Sequence, residues 1–248
     1  MTGEGLPVVR PPFDAGNDVG DEAGDAAPPR VAGVLLAAGT SSRFGDANKL
    51  LATVEGEPVV RRAARTLVDA GADPVVVVVG HEADRVRAAV ADLPVKTVTN
   101  DAYEAGQSTS VRTGIDAIRE VKGGEEAGEG YEKTGAGRDE AEAKVDAAVV
   151  ALGDMPFVDP ETVETLVAAY AAEAGAALAA AYEGARGNPV LFDARFFDRL
   201  AAVDGDVGGR EILLTDDASA LVAVDDPGVR RDVDRPTDLP ERGDSDDG

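Results

Sequence analysis

A group of side chains suited to chemistry follows an apolar run near the start of the chain. VLLA climbs into the small-residue turn AGTSS, and the segment continues RFGDANKL to residue 50. It carries Arg43 and, six residues on, Lys49. Small residues let a backbone approach a ligand closely, and the N–H groups of residues 38–42 can cradle phosphate oxygens as a helix N-terminus or nest does. Arg43 offers a planar fork and Lys49 a point charge, a pair able to neutralise a triphosphate. The spacing differs from a dinucleotide turn, G-x-G-x-x-G, and from a Walker loop, G-x-x-x-x-G-K-[ST]. Gly39 and Gly45 stand six apart, with Lys49 four further on. Glycines alone would serve any strand-to-helix loop. What marks this one is Lys49, the sole lysine before position 96 in a chain whose other lysines are Lys96, Lys122, Lys133 and Lys144.

Two acidic segments could complete such a site. GDMP (153–156) sets Asp154 directly after an apolar run. Its carboxylate is a hard oxygen ligand suited to Mg²⁺, which shares its shell with substrate phosphates. DVDRPTDL (232–239) supplies Asp234 as a second carboxylate. Each Asp has a plainer alternative, as a turn or helix cap. NDAYEAGQSTSVRTGI (100–115) opens a helix with Ser108, Thr109 and Ser110. Three consecutive hydroxyls exceed the need for one N-cap, so the surplus could hold ribose or read a base edge. Capping alone is the alternative. His81, the only histidine, follows an apolar run at GHEADR and reads as a loop or capping side chain rather than a base.

The elements that must position these residues alternate. VAGVLLA (31–37) is a buried strand, and 58–70 a helix with Val59, Val60, Ala63, Leu67 and Ala70 on one face. PVVVVVG (74–80) has no polar alternation, as expected of a strand buried on both faces of a parallel sheet. A helix near 82–91, a strand at 95–99 and a helix at 108–119 follow, then a strand at 146–152. Asp159 and Pro160 open another helix as N-cap and first residue, and further strands are expected at 177–182, 189–192 and 219–224. This order predicts an α/β fold with a doubly wound, mostly parallel, Rossmann-like sheet in a single domain. Ligands of such sheets bind at the carboxyl ends of the strands, which would bring the three loops at 38–49, 100–112 and 153–156 together.

Composition bounds the rest. At 248 residues with 44% hydrophobic content the chain can build one large core, drawn from Ala and Val because aromatics make up 4%. No apolar run approaches the ~18–20 residues that span a bilayer. The acidic, Pro/Gly-rich start lacks the basic and apolar regions of a signal peptide, and the expected location is cytoplasmic. With no cysteine, disulfides and thiolate metal sites are excluded. Nucleic-acid binding is not expected, because no basic patch breaks the net charge of −24. Acid spread over the whole chain with little lysine resembles proteins of salt-loving organisms, where a Debye length of roughly 3 Å at molar salt screens repulsion of a polyanionic substrate. Attraction of a basic partner is the other reading. Residues 1–29 and 240–248 lack periodicity and read as disordered tails around a domain at 30–239, with an acidic, Gly-rich surface insertion at 123–144. That insertion either has no part in the chemistry or docks a partner.

Taken together, LLAAGTSSRFG with its following lysine, GQSTSVRTGI, LGDMP, RGNPVLF, GDVGGREIL and DVDRPTDL resemble, in order, the molybdenum cofactor nucleotidyltransferases. The nearest branch is the cytidylyltransferases, within the glycosyltransferase-A-like nucleotidyltransferases of the nucleotide-diphospho-sugar transferase type. The resemblance spans roughly residues 31–239 and implies transfer of CMP from CTP to the phosphate of molybdopterin, with Mg²⁺ as cofactor. GTP is the other nucleotide the resemblance admits, and sugar phosphates or phospholactate are other acceptors. It implies that Leu36, Ala37, Ala38, Gly39 and Ser42 contact the nucleotide, with Arg43 and Lys49 on its phosphates. Ser108, Thr109 and Ser110 would lie against base and ribose, and Asp154 and Asp234 would hold the metal. Arg43, Lys49 and Asp154 would be the catalytic residues. Arg186, Asn188 and Pro189 in 186–190, and Gly208 and Arg210 in 205–210, would face the acceptor. Asn188 stands where family members often have His, so an acid–base role there is not implied. A molybdoenzyme or its chaperone would be the partner receiving the product; a carrier that binds the cofactor without catalysis is the reading from another class.

Overall fold

The computed structural model describes residues 5–13, 27–41, 44–45, 47–120, 144–202 and 209–240. In chain order the elements are β1 (Val8–Val9), β2 (Val31–Ala37), the hairpin β3 (Thr53–Val54) and β4 (Glu57–Pro58), α1 (Val59–Asp69), β5 (Val75–Val79), α2 (Ala83–Ala89), β6 (Lys96–Thr99) and α3 (Gln107–Glu120). They continue as β7 (Ala147–Leu152), α4 (Pro160–Ala171), β8 (Ala177–Tyr182), β9 (Ala185–Asp193), α5 (Phe197–Ala202), α6 (Arg210–Thr215) and β10 (Ser219–Ala223).

Eight strands form one sheet in the order β1-β10-β8-β9-β7-β2-β5-β6. Only β9 runs against its neighbours β7 and β8; the other pairings are parallel. The mostly parallel, doubly wound sheet expected from the alternation of elements is thus present.

Side-chain alternation splits the core between the two faces. Leu35, Val77 and Val149 meet Val60 and Leu67 of α1 and Leu166 of α4 on one face. Val34, Val76 and Val78 meet Val111 and Ile115 of α3, Leu200 of α5 and Ile212 of α6 on the other. All five valines of β5 are buried, which is why that run shows no alternation. The Asp159 carboxylate accepts the Glu161 N–H at 3.1 Å, and Pro160 opens α4 as its capping pattern predicts.

Two expectations need correction. The assignment of residues 1–29 to a disordered tail fails for 5–13: Val8–Val9 pairs in parallel with Leu221 and Val222. Leu6 packs on one face of the core, and Val9 and Phe13 on the other. Two β-branched residues carry too weak a periodic signal to be read alone, and they are held by the open edge of β10. Secondly, the strand expected at 189–192 begins at Ala185, so the R-G-N-P segment is sheet rather than its approach. Of the expected insertion, residues 123–143 lie outside the described residues, as does the tail from 241. Among the described residues no helix is long and apolar enough to cross a membrane.

Candidate active site

The register of the central strands brings the site together. Leu36 of β2 is level with Val78 of β5 and Leu152 of β7, so the loops after all three leave from one edge of the sheet. Gly153 N–H donates to the Leu36 carbonyl at 2.9 Å, and a Cβ at Gly153 would stand 3.0 Å from that same oxygen. Glycine is needed there for the two loops to meet. Val233 N–H donates to the Asp154 carbonyl at 2.8 Å, which lays the D-V-D segment beside GDMP. Val233 is fully buried, so in this extended stretch Asp232 and Asp234 emerge together on the other side.

At this junction the Lys49 ammonium bridges two carboxylates, 2.7 Å from Asp154 Oδ2 and 2.7 Å from Asp234 Oδ1. Burial is the largest single influence on Lys49 and opposes its charge. The attraction and hydrogen bonds of Asp154 and Asp234 together outweigh it, so its pKa is raised above the ordinary lysine value. The side chain is a fixed cation. Oxygens of Asp154, Asp232 and Asp234 lie within 4.8 Å of one another, close enough to share one ion. Asp232 was not singled out in the sequence, although its two-residue spacing from Asp234 is the signal that finds it.

A cleft of about 470 Å³ opens above this cluster, in the size range of small-molecule sites. Leu36, Ala38 and Gly39 line it from the end of β2 and the loop after it, and Tyr103, Glu104, Gln107 and Ser110 from the segment after β6. A Cβ built at Gly39 meets nothing within 4 Å, so its backbone is open to a ligand. Among the described residues lining the cleft, Lys49 is the one cation, facing Glu104, Asp154 and Asp234.

The loop beneath Lys49 is braced from inside. Buried Asn48 accepts the Leu50 N–H at 3.0 Å and the Ser41 hydroxyl at 3.3 Å through Oδ1. Ser41 Oγ in turn accepts the Lys49 N–H at 3.2 Å, and Ser41 itself sits at φ 56°, a left-handed conformation that its neighbours must hold. Asn48→Ala removes the acceptor of both bonds. The expected loss is about 1–2 kcal/mol of stability in a denaturant titration, together with weaker nucleotide binding. Unchanged nucleotide affinity would show that Lys49 finds its place without this brace.

The other sequence candidates divide. Ala37 is buried in the core beneath the cleft. Ser110 lines the cleft, although it is buried and its Oγ accepts from Asn100 Nδ2 at 3.0 Å; Ser108 is fully buried, and Thr109 is also bonded to the scaffold. Thr109 Oγ1 accepts from Asn100 Nδ2 at 2.9 Å and has the Gly106 carbonyl at 2.8 Å as an acceptor. The residues facing the cleft from this segment, Tyr103, Glu104 and Gln107, lie just before the hydroxyl run and were not picked out by type. Asn188 and Pro189 line a small apolar void with Leu67, Met155 and Val163, and not the cleft. Arg186 lies on β9 and Arg210 opens α6; neither lines the cleft. Ser42, Arg43 and Gly208 lie outside the described residues. His81 does not line the cleft; its ring centre is 6.3 Å from that of Tyr103.

The pattern of the MobA-like NTP transferase domain matches residues 33–221. The chain belongs to the MobA-like NTP transferase family. Nicotine blue oxidoreductase of Paenarthrobacter nicotinovorans is 31% identical to this transferase-family chain over 198 residues, 77% of this chain and 84% of that protein. A probable molybdenum cofactor guanylyltransferase of Natronomonas pharaonis is 29% identical over 134 residues, 54% of each. The crystal structure of Rv0371c from Mycobacterium tuberculosis superposes with a TM-score of 0.67 at 25% identity, covering 86% of this chain and 96% of that one. Its structure with manganese superposes at 0.64 with 24% identity, covering 85% and 96%. The family match ends at residue 221, so Asp232 and Asp234 join this MobA-like site by geometry rather than by that match.

Proposed function

We propose that this MobA-like chain is an Mg²⁺-dependent cytidylyltransferase that transfers CMP from CTP to the terminal phosphate of molybdopterin and releases pyrophosphate. The observation that carries the reading is Lys49 held between Asp154 and Asp234 at the foot of a cleft floored by open backbone at Gly39. The three carboxylates fit a hard divalent cation: their donors are oxygens, they converge within 4.8 Å, and a cation in the form of Lys49 already sits among them. Asp154 and Asp234 would hold the ion, with Asp232 in reach. Bound there, Mg²⁺ supplies charge neutralisation on the phosphates and a fixed orientation for the reacting one.

In the reaction an oxygen of the acceptor phosphate forms a bond to the α-phosphorus of CTP, and the bond from that phosphorus to the bridging oxygen breaks. Pyrophosphate leaves with the electron pair. The acceptor is already ionised, so no general base is required, in keeping with the absence of histidine from the cleft lining. Lys49 and, by the resemblance, Arg43 would stabilise charge on the triphosphate and the leaving pyrophosphate. Catalysis here is positioning and electrostatics. Gln107 and Glu104, which line the same cleft, would meet the base. The resemblance would assign the acceptor to Arg186, Asn188, Pro189, Gly208 and Arg210, outside the described cleft lining, and a molybdoenzyme or its chaperone would receive the product.

CTP is favoured by the methyl of Ala38, which lines the cleft where guanylyltransferase relatives usually carry glycine. A methyl is worth only ~1–3 kcal/mol of discrimination. The guanylyltransferase name of the Natronomonas relative supports GTP as the second reading. Pyrophosphate release, measured in concentrated KCl with Mg²⁺ and molybdopterin across CTP, GTP, ATP and UTP, separates them. Release with CTP alone is expected. GTP preference would keep the mechanism and change the base. Silence with all four, from folded protein and intact acceptor, would overturn the reaction in favour of another acceptor or a non-catalytic carrier.

A further inference from the structure

In the structure Lys49 engages one oxygen of each of two carboxylates that would hold a metal ion. We infer that Lys49 and the divalent cation compete for Asp154 and Asp234, so that the metal binds weakly while Lys49 holds them and more tightly once a triphosphate draws Lys49 away. The inference rests on the metal-dependent reading above. Its ground is geometric. The ammonium lies 2.7 Å from one oxygen of each carboxylate. A divalent ion bound by the same pair of carboxylates would lie within a few ångströms of the ammonium, whose like charge opposes its entry.

The backbone at Lys49 cannot retreat easily. Its N–H is held by Ser41 Oγ, and the next N–H by Asn48 Oδ1. Exchange is therefore a swing of the long, flexible side chain. The cleft gives that swing a destination. Leu36, Ala38 and Gly39 contribute only apolar or backbone groups, and Lys49 is the one cation among the described lining residues. An incoming triphosphate would be a stronger anionic partner than two carboxylates already shared. Once the ammonium turns to the phosphates, the Asp154 and Asp234 carboxylates are free to take the metal. Nucleotide and metal then favour each other's binding, reciprocally, through one side chain. Without nucleotide, Lys49 satisfies two half-buried carboxylates that would otherwise repel each other.

The test uses Mn²⁺ alone as the probe, with the full chain, no nucleotide and fixed ionic strength. Free Mn²⁺ is followed by electron paramagnetic resonance for wild type, Lys49→Met and Asp154→Asn. Removing the ammonium should tighten Mn²⁺ binding by about tenfold or more, since a like charge a few ångströms away opposes cation entry. Mn²⁺ should also raise the melting temperature of Lys49→Met more than that of wild type. Lys49→Gln serves as the second variant should the methionine protein fail to fold. Equal or weaker Mn²⁺ binding in a folded Lys49 variant, with wild-type binding still lost in Asp154→Asn, would overturn the competition and leave the metal site standing. Mn²⁺ binding that is indifferent to Asp154 in every protein would overturn both the competition and the metal reading.

Discussion

Asp154→Asn is expected to lower turnover on the order of a thousandfold while leaving the fold in place, a loss of about 4 kcal/mol in transition-state stabilisation. The two consequences separate because the residue does two jobs with different atoms. Its backbone carbonyl accepts the Val233 N–H, and the preceding Gly153 N–H donates to Leu36. Neither bond uses the carboxylate, and asparagine has nearly the same shape. The carboxylate faces Lys49 and the cleft, with the side chain 20% exposed. Losing its charge weakens the grip on any cation at the foot of the cleft, but Asp234 still pairs Lys49. Stability should therefore change by about 1 kcal/mol or less, as for other partly exposed pairs. Circular dichroism and a denaturant titration check the fold, and steady-state pyrophosphate release reads the chemistry. Wild-type turnover from the folded variant would remove Asp154 from the machinery.

The second large effect is on stability and concerns the contact of α3 with the sheet. A Cβ built at Gly114 would lie 2.3 Å from Val34 Cγ1 and 3.2 Å from Val78 Cγ2. Val34 and Val78 are fully buried in the central strands β2 and β5, so neither can turn aside without displacing the core. Gly114→Val is expected to cost about 3 kcal/mol or more, at the upper end of overpacking effects. It should appear as a lower denaturation midpoint with an unchanged slope. The same change should also weaken nucleotide binding. The first turn of α3 carries Gln107 and Ser110 into the cleft, and an outward shift of the helix would widen it. Stability within about 0.5 kcal/mol of wild type, the range of neutral surface changes, would mean that the helix can stand off the sheet at little cost.

The strands and their loops were legible because burial on two faces leaves a mark in the residues themselves. Val75–Val79 shows no polar alternation because neither face meets water. The Asp159–Pro160 cap is likewise local: its partner is the Glu161 N–H two residues away. Lys49 stood out as a candidate through its rarity and Asp154 through its place at the end of an apolar run, and the structure pairs them. Local pattern could not reach β1, whose two valines are ordered only by the edge of a strand more than two hundred residues later. Nor could it separate Ser110, which lines the cleft, from Ser108 and Thr109, which do not, since Asn100 bonds Thr109 and Ser110 alike. On a helix, adjacent residues point in different directions, and which one meets the ligand depends on what the others pack against.

By itself, then, the sequence determined the class of fold, the edge of the sheet that carries the chemistry, and the residue types available there. Periodicity reports whether a face is buried, and apolar runs report where strands end. Which groups meet was decided by the tertiary structure alone. Lys49, Asp154 and Asp234 are separated by 105 and 185 residues from lysine to acid, and no local rule pairs them. Their meeting follows from β2 and β7 ending level and from Val233 anchoring its segment to the Asp154 carbonyl. A charge reads the same in the sequence whether it faces water, phosphate or another charge; only the packing of distant loops sets its partner.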